Sequence, residues 1–348
     1  MYQGSYELIG SELSFFTRKL EAQLRFQQVP WRYRFKTQER SAELEARAGT
    51  HFIPLLKTPD RWLLNDTISI GPLLNDRFSE RSVIPNTPAQ RATCFILEDA
   101  FNHWLGKSCV HSRWCYSDNV NWVGIRFGAN LMFDKSIDAP LSEQEIEAVS
   151  SLGQMMKEGF GKSACEVNGV GPDAEQMVKA DFQAMLNVLA EHFTHHEYLL
   201  GARPCLADFA LAGAFRAHYT LDPEPRSWLG EHEAVLSDYT NRLFADSAPE
   251  LQPWLADDQL PESLMPILDY LQSSYFTYAI ANMNAVAADE KYVNFNYGGF
   301  GETQARSQRR LNLARLHLAD ELTRCDAKQN TAIQNTYSDT NILDYYFQ

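Results

Sequence analysis

Residues 6–26 read YELIGSELSFFTRKLEAQLRF, and the change of period inside them decides the fold. Tyr6–Ile9 is a short hydrophobic run that passes through Gly10, the pattern of a strand. Phe16, Leu20 and Leu24 then recur at i, i+4 and i+8, the spacing of one helix face. The connecting SELS places Ser14 at the first turn of that helix. A serine there either caps the helix or holds a reactive ligand atom at its positive end.

The strand–helix alternation continues outward from this stretch. WRYRFK (31–36) alternates apolar and basic residues like a strand with one buried face, and QERSAELEARAG (38–49) is a polar helix closed by Gly49 at a C-cap position. HFIPLLK (51–57) and RWLLN (61–65) read as two short strands separated by TPD, with Pro59 at the second place of a turn. Asp66 stands at the N-cap of a helix carrying Ile70, Leu73, Leu74 and Phe78. The order βαβαββα is an α/β layer of about 80 residues.

SVIPNTP (82–88) is a stiff connector, and beyond it the periodicity is mainly helical. Apolar stripes recur in ATCFILEDAFNHWL (92–105), SEQEIEAVSSLGQMMKEGF (142–160), DAEQMVKADFQAMLNVLAEHF (173–193) and LADFALAGAFRAHY (206–219). After residue 250, Leu264, Leu268, Leu271 and Tyr275 keep helical spacing, and a charged helix follows with Leu311, Ala314, Leu318 and Leu322 on one face. YVNFNYGGFGE (292–302) is rich in Gly and aromatics without a GxGxxG spacing and reads as a loop. The final twenty residues either hang loosely or dock through Tyr345, Tyr346 and Phe347.

The 348 residues suit two domains, and 45% hydrophobic with 22% charged residues is ordinary for a well-cored protein. A balance of 31 basic to 45 acidic residues, net −14, opposes phosphate backbones and anionic lipids, so neither nucleic acid nor a membrane surface is expected as a partner. No run of about 18 apolar residues occurs and MYQGSYELIG lacks the features of a leader. The six cysteines (Cys94, Cys109, Cys115, Cys165, Cys205, Cys325) are scattered with no CxxC pair, which suits reduced thiols in a cytoplasmic protein and counts against a thioredoxin-type redox protein.

βαβαββα followed by an all-helical half resembles the cytosolic glutathione S-transferases, and four motifs fit in order. GSELSFFTRKLEAQLRF (10–26) looks like the family's first strand-to-helix turn, with Ser14 at the position of a serine or cysteine that contacts the glutathione sulfur. HFIPLL is similar to its cis-proline strand, with Pro54 at the proline. LNDTISIGPLL (64–74) resembles the acidic-plus-hydroxyl pair opening the third helix, and LLGARPCLADFALAG (199–213) the signature of the helical domain. The resemblance implies a thioredoxin-like α/β domain at 1–84, an all-α domain at 89–250 and a helical extension packed on it at 251–348, longer than is usual. It implies glutathione as co-substrate, no metal, a homodimer, and transfer of the glutathione thiolate to a small apolar electrophile. A non-catalytic relative that binds or regulates is the alternative.

Physical chemistry supports those assignments independently. A helix N-terminus favours negative charge, and a hydroxyl donating there stabilises a thiolate. Moving a free thiol from about 8.5 down by about two pKa units corresponds to roughly 2.7 kcal/mol. Ser14 therefore need only donate a hydrogen bond, with Ser11 and Thr17 as neighbouring hydroxyls open to the same role. Pro54 inside a strand pattern implies an edge or a cis turn, and a cis bond would free the Ile53 backbone to pair with a peptide-like ligand. By the resemblance, Asp66 and Thr67 receive the ligand's γ-glutamyl end and His51 its glycine carboxylate. Phe15 stands where a proline is common, which brings a ring toward the thiol.

FNHWLGKSCVHSRWCYSDNVNW (101–122) is dense in aromatics, and Trp104, Trp114 and Tyr116, with Phe15, are expected to wall a hydrophobic substrate pocket. Asp208 is expected to be structural, capping a buried helix start next to Cys205, a poor cap where Ser or Thr is usual. His192 and His196 stand at i, i+4, a spacing compatible with zinc but without a third ligand, and Cys109, His111 and Cys115 form another loose group of possible ligands. SQRRLNLAR (307–315) reads as a short basic patch on a solvated helix face.

Overall fold

The structure is a computed structural model describing residues 4–323 and 326–347. The first three residues of the expected leaderless N-terminus and the Cys325 thiol lie outside the described residues. Strand β1 (Tyr6–Gly10) is buried throughout, as a strand covered on both faces must be. It pairs in parallel with β2 (Trp31–Phe35) and antiparallel with β3 (Leu55–Lys57), which pairs antiparallel with β4 (Leu63–Leu64), giving the order β2-β1-β3-β4.

Helices α1 (Phe15–Phe26), α2 (Gln38–Ala48) and α3 (Thr67–Arg77) cover this sheet. Alternation along β1 sends Tyr6 and Leu8 toward Leu20 and Leu24 of α1 and Ile70 and Leu74 of α3, and sends Ile9 toward Leu44 of α2. Gly49 ends α2 at φ 66°, a left-handed C-cap that glycine adopts without steric cost.

Helix α4 (Pro88–Trp114) begins the second body, with Pro88 in its first turn where a missing N–H costs nothing. It is followed by α5 (Ser117–Phe133), α6 (Glu143–Val149), α7 (Leu152–Met156), α8 (Lys162–Asn168), α9 (Glu175–His195), α10 (Leu206–Ala214), α11 (Pro223–Ser227) and α12 (Glu233–Leu243). Every residue of α10 is buried, and the helix packs against both α1 and α4. The approach is so close at Gly213 that an added Cβ would lie 2.6 Å from the Lys19 backbone nitrogen.

The chain beyond residue 250 forms α13 (Met265–Leu271), α14 (Thr277–Ala287), a hairpin of β5 (Tyr292–Asn296) and β6 (Glu302–Arg306), then α15 (Arg309–Thr323), α16 (Ala327–Thr336) and α17 (Ile342–Phe347). It is fastened to α4 by polar contacts. The hydroxyls of Tyr275 and Tyr346 each donate to Asp99 Oδ2 at 2.9 Å, and Tyr337 and Thr93 share a 2.7 Å bond. The tail docks through buried Tyr345 and Tyr346, whereas Phe347 is exposed.

The 292–302 segment is not the expected loop. Val293, Phe295 and Tyr297 alternate into the core, and Gly298 and Gly299 turn the hairpin at φ 61° and 87°. The period-two alternation of YVNFNY was the strand signal.

Candidate active site

The sheet register brings the nominated glutathione-binding segments to one end. Ile9 pairs with Leu55 and Leu56 with Leu64, so continuing both registers sets Pro54 between Gly10 on one side and Asp66 on the other. β2 ends at the same place: Gly10 is opposite Phe35, and the Lys36 N–H donates to the Gly10 carbonyl at 3.0 Å. The start of α1, the turn before β3 and the start of α3 therefore converge at the carboxyl end of β1, the end where ligands of open α/β sheets bind.

Ser14 is the N-cap of α1. Its Oγ accepts the Thr17 N–H at 3.3 Å, and the half-buried hydroxyl keeps its own hydrogen to donate. The two neighbouring hydroxyls are placed differently. Ser11 is buried, donating to Asn130 Oδ1 at 2.8 Å and accepting from the Leu13 N–H. Thr17 is buried behind β1, where its Oγ1 lies 2.4 Å from the position a Cβ on Gly10 would take. Of the three, only Ser14 reaches the surface.

The Ile53–Pro54 bond is cis. Pro54 is buried, Ile53 half-buried, and the Ile53 backbone has no hydrogen-bond partner among the described residues. Asp66 caps α3, its carboxylate accepting the Ile68 N–H and the Ser69 hydroxyl, each at 3.2 Å. It does so at φ 71°, ψ 104°, a strained backbone for a residue with a Cβ and one that structures retain where a site needs it. Thr67 beside it is buried. His51 is exposed at the rim, its ring 4.1 Å from that of Phe52, and its carbonyl accepts Lys36 Nζ at 2.7 Å. Lys36 also holds Glu45, whose carboxyl it lowers.

Residues from the helical body, none marked by a local motif, hold the SELS loop. Arg113, buried near the end of α4, donates to the Leu13 carbonyl at 2.6 Å and to the Ala217 carbonyl at 2.6 Å, and grips Asp222 with two bonds of 2.7 and 2.9 Å. Asn130 Oδ1 accepts the Glu12 N–H at 3.1 Å, and the Glu12 carboxylate accepts the Ile137 N–H at 2.8 Å. Arg40 of α2 makes a bidentate pair with Asp134. Lys19 of α1 pairs with Glu98 of α4 at 2.6 Å and with Asn102 at 3.0 Å, all three buried, and burial raises the Glu98 carboxyl pKa. From the far end of the chain, the Arg310 guanidinium lies 4.9 Å over the Phe52 ring beside His51, so SQRRLNLAR is not only a solvated face.

The expected aromatic wall is not assembled. Phe15 packs into the core, stacked on Phe16 at 4.5 Å, and no ring enters beside Ser14 from there. Trp104 faces the C-terminal segments, donating to Asp181 and Tyr270. Trp114 packs with Leu13, Val120 and Val123, and Tyr116 sits near Trp228 with ring centroids 5.8 Å apart. Ten residues of α-helix, the separation of Trp104 and Trp114, amount to about 15 Å and about 80° of rotation, which sends the two rings to different neighbours.

Asp208 is fully buried at the start of α10, accepting the Leu199 N–H at 2.9 Å and the Cys205 N–H at 2.8 Å. Burial raises its pKa to about 6 against those bonds and one from the Cys205 thiol. Both ring nitrogens of His192 are engaged, by the Tyr198 carbonyl and the Ser263 hydroxyl. Among the described residues no three His, Cys, Asp or Glu side chains are grouped to hold a metal, and no helix is long and apolar enough to cross a membrane.

Residues 172–254 match the glutathione S-transferase C-terminal domain family. No curated protein matches the chain in sequence. Solved structures similar to it include a glutathione S-transferase of Methylobacterium radiotolerans in complex with glutathione sulfonate, at 17% identity over 72% of this chain and 98% of that one, TM-score 0.39. Poplar glutathione transferase F1 is 11% identical over 78% of this chain and 100% of its own, TM-score 0.42. A glutathione transferase of Phanerochaete chrysosporium is 12% identical over 71% and 99%, TM-score 0.46. The chain resembles the glutathione S-transferases, and its fold is a thioredoxin-like α/β domain followed by an all-α domain of their C-terminal type.

Proposed function

We propose that this protein binds glutathione at the carboxyl end of β1 and activates its thiol for attack on a small apolar electrophile. Residues 1–84 would hold the tripeptide, 89–250 would complete the cleft and 251–348 would buttress α4. The observation that carries this reading is Ser14: of the three neighbouring hydroxyls it alone is at the surface, at a helix N-terminus, at the end of the sheet to which Pro54 and the Asp66 cap also come.

In this proposal the sulfur lies over the first turn of α1, where unpaired N–H groups and the Ser14 hydroxyl favour the thiolate. The free Ile53 backbone pairs with the peptide as an added strand. Asp66 and Thr67 take the γ-glutamyl end, and His51 the glycine carboxylate. Rate comes from thiolate formation and from holding both reactants together. The electrophile's wall is drawn from the residues bordering Leu13 and Ser14, Trp114 among them, rather than from Trp104 or Tyr116. A cytoplasmic homodimer belongs to the same proposal by resemblance, and sedimentation checks the dimer. Calorimetric titration with glutathione tests the whole reading: saturable binding is expected, and no binding would overturn it.

A second reading, binding without turnover, is favoured by one contact. Arg310 of the C-terminal segment lies over Phe52 at the rim, so that segment reaches the cleft. Binding without a thiolate absorbance band would select it.

A further inference from the structure

A cavity of about 800 Å³ opens between α8, the start of α9 and the β5–β6 hairpin. Trp114, Lys157, Tyr292 and Thr303 line it together with two cysteines, Cys115 and Cys165. Cys115 is the C-cap of α4 and Cys165 lies on α8, fifty residues on, yet their sulfurs are 3.9 Å apart. A disulfide needs about 2.05 Å, so a sulfur approach of roughly 2 Å closes the pair.

Cys115 is half-buried and Cys165 is buried at 7% exposure, and both line the cavity. The contrast within the same molecule is instructive. Cys94 and Cys205 also adjoin each other, but both are wholly buried in the main core. Chemistry that requires a small molecule is therefore open to the first pair and closed to the second.

We propose that Cys115 and Cys165 form a dithiol site that exchanges with a small organic disulfide entering this cavity. Cys165, as thiolate, attacks one sulfur of the disulfide R–S–S–R. The S–S bond of the small disulfide breaks as Cys165–S–S–R forms, and one RS⁻ leaves, taking up the proton that Cys165 had released to solvent. Cys115 then attacks the Cys165 sulfur, the second RS⁻ departs, and the Cys115 proton passes to it. Two protein thiols are oxidised to one disulfide and the small disulfide is reduced to two thiols.

The order of attack follows from the local bonds. A hydrogen bond from Cys115 lowers the Cys165 thiol pKa, with Lys157 adding to it, while the same bond and burial raise that of Cys115. The lower-pKa thiol is the ready nucleophile, and the other resolves the mixed disulfide. His111 lies against Cys115, with its Nδ1 engaged by the Val170 carbonyl at 3.0 Å and its Nε2 3.4 Å from the Tyr116 hydroxyl. Trp114 lines this cavity and also packs on Leu13, and the dithiol chemistry stands whether or not the chain is a transferase.

The test uses the full chain, first reduced, then treated with glutathione disulfide as probe. The wild type is expected to lose two titratable thiols per chain and release two glutathiones, with peptide mapping locating the new bond between Cys115 and Cys165. C115S is expected to stop at the first step and retain one glutathione on Cys165. Unchanged thiols in the wild type would overturn the proposal, as would a stable glutathione adduct there without the internal bond, or reaction at Cys94 and Cys205 at an equal rate. The wild-type mapping decides even if a variant fails to fold.

Discussion

The Arg113 guanidinium donates to the Leu13 carbonyl at 2.6 Å, so a side chain near the end of α4 fixes the residue preceding Ser14. Three more of its donors go to Asp222 and the Ala217 carbonyl in a buried setting. The loop presenting the candidate hydroxyl is thus positioned by the helical body rather than by its own strand and helix.

R113K keeps the charge but loses the planar fork that serves four acceptors. We expect a fall in melting temperature together with weaker glutathione binding, read by thermal denaturation and calorimetry. Unchanged binding in a folded variant would remove Arg113 from the positioning role.

Lys19 and Glu98 join the two bodies through a buried pair at 2.6 Å. Breaking such a pair from one side leaves an uncompensated charge and costs about 3–5 kcal/mol. K19M is therefore expected to be strongly destabilised, and the K19M/E98Q double variant to regain most of the loss. Denaturant titration of both variants checks this, and additive losses would contradict it.

D208A orphans the Leu199 and Cys205 N–H groups, each worth about 1–3 kcal/mol when buried without a partner. A loss of about 3 kcal/mol in unfolding free energy is expected, with per-molecule activity of the folded fraction unchanged. A selective loss of activity would move Asp208 into the site.

Burial lowers the His192 pKa to about 4. In the window between about 6.5 and about 4 the unfolded chain binds this proton and the folded chain does not, so stability rises with pH there and is lost as pH falls. His192 thus contributes up to about 3 kcal/mol above pH 6.5 that disappears toward pH 4. H192Q should flatten the pH dependence of unfolding across that window; the same slope in the variant would refute this.

Local signals carried the α/β half well. Tyr6–Ile9, the cap at Ser14, the C-cap at Gly49 and the acidic cap at Asp66 each depend on a few neighbouring residues, and each stands where its own chemistry places it. The four aromatic residues expected to wall one pocket meet different neighbours, because helical period assigns a residue to a face without naming what that face meets. Trp104 meets Tyr270, 166 residues away, and nothing in its vicinity signals that. Arg113, Asn130 and Arg310 were illegible for the same reason, since their partners lie in distant segments. In the hairpin at 292–306 the paired glycines of the turn interrupt the period-two alternation that runs on either side of them.

The central claim concerns the ionisation of a bound thiol, so ultraviolet absorbance of the glutathione thiolate, titrated against pH in complexes with wild type and S14A, tests it most directly. The account predicts a thiolate band in the wild type with the thiol pKa about two units below its free value of about 8.5, and a return toward that value in S14A with affinity nearly kept. A wild-type complex with no thiolate at neutral pH, or the same pKa in both proteins, would contradict it.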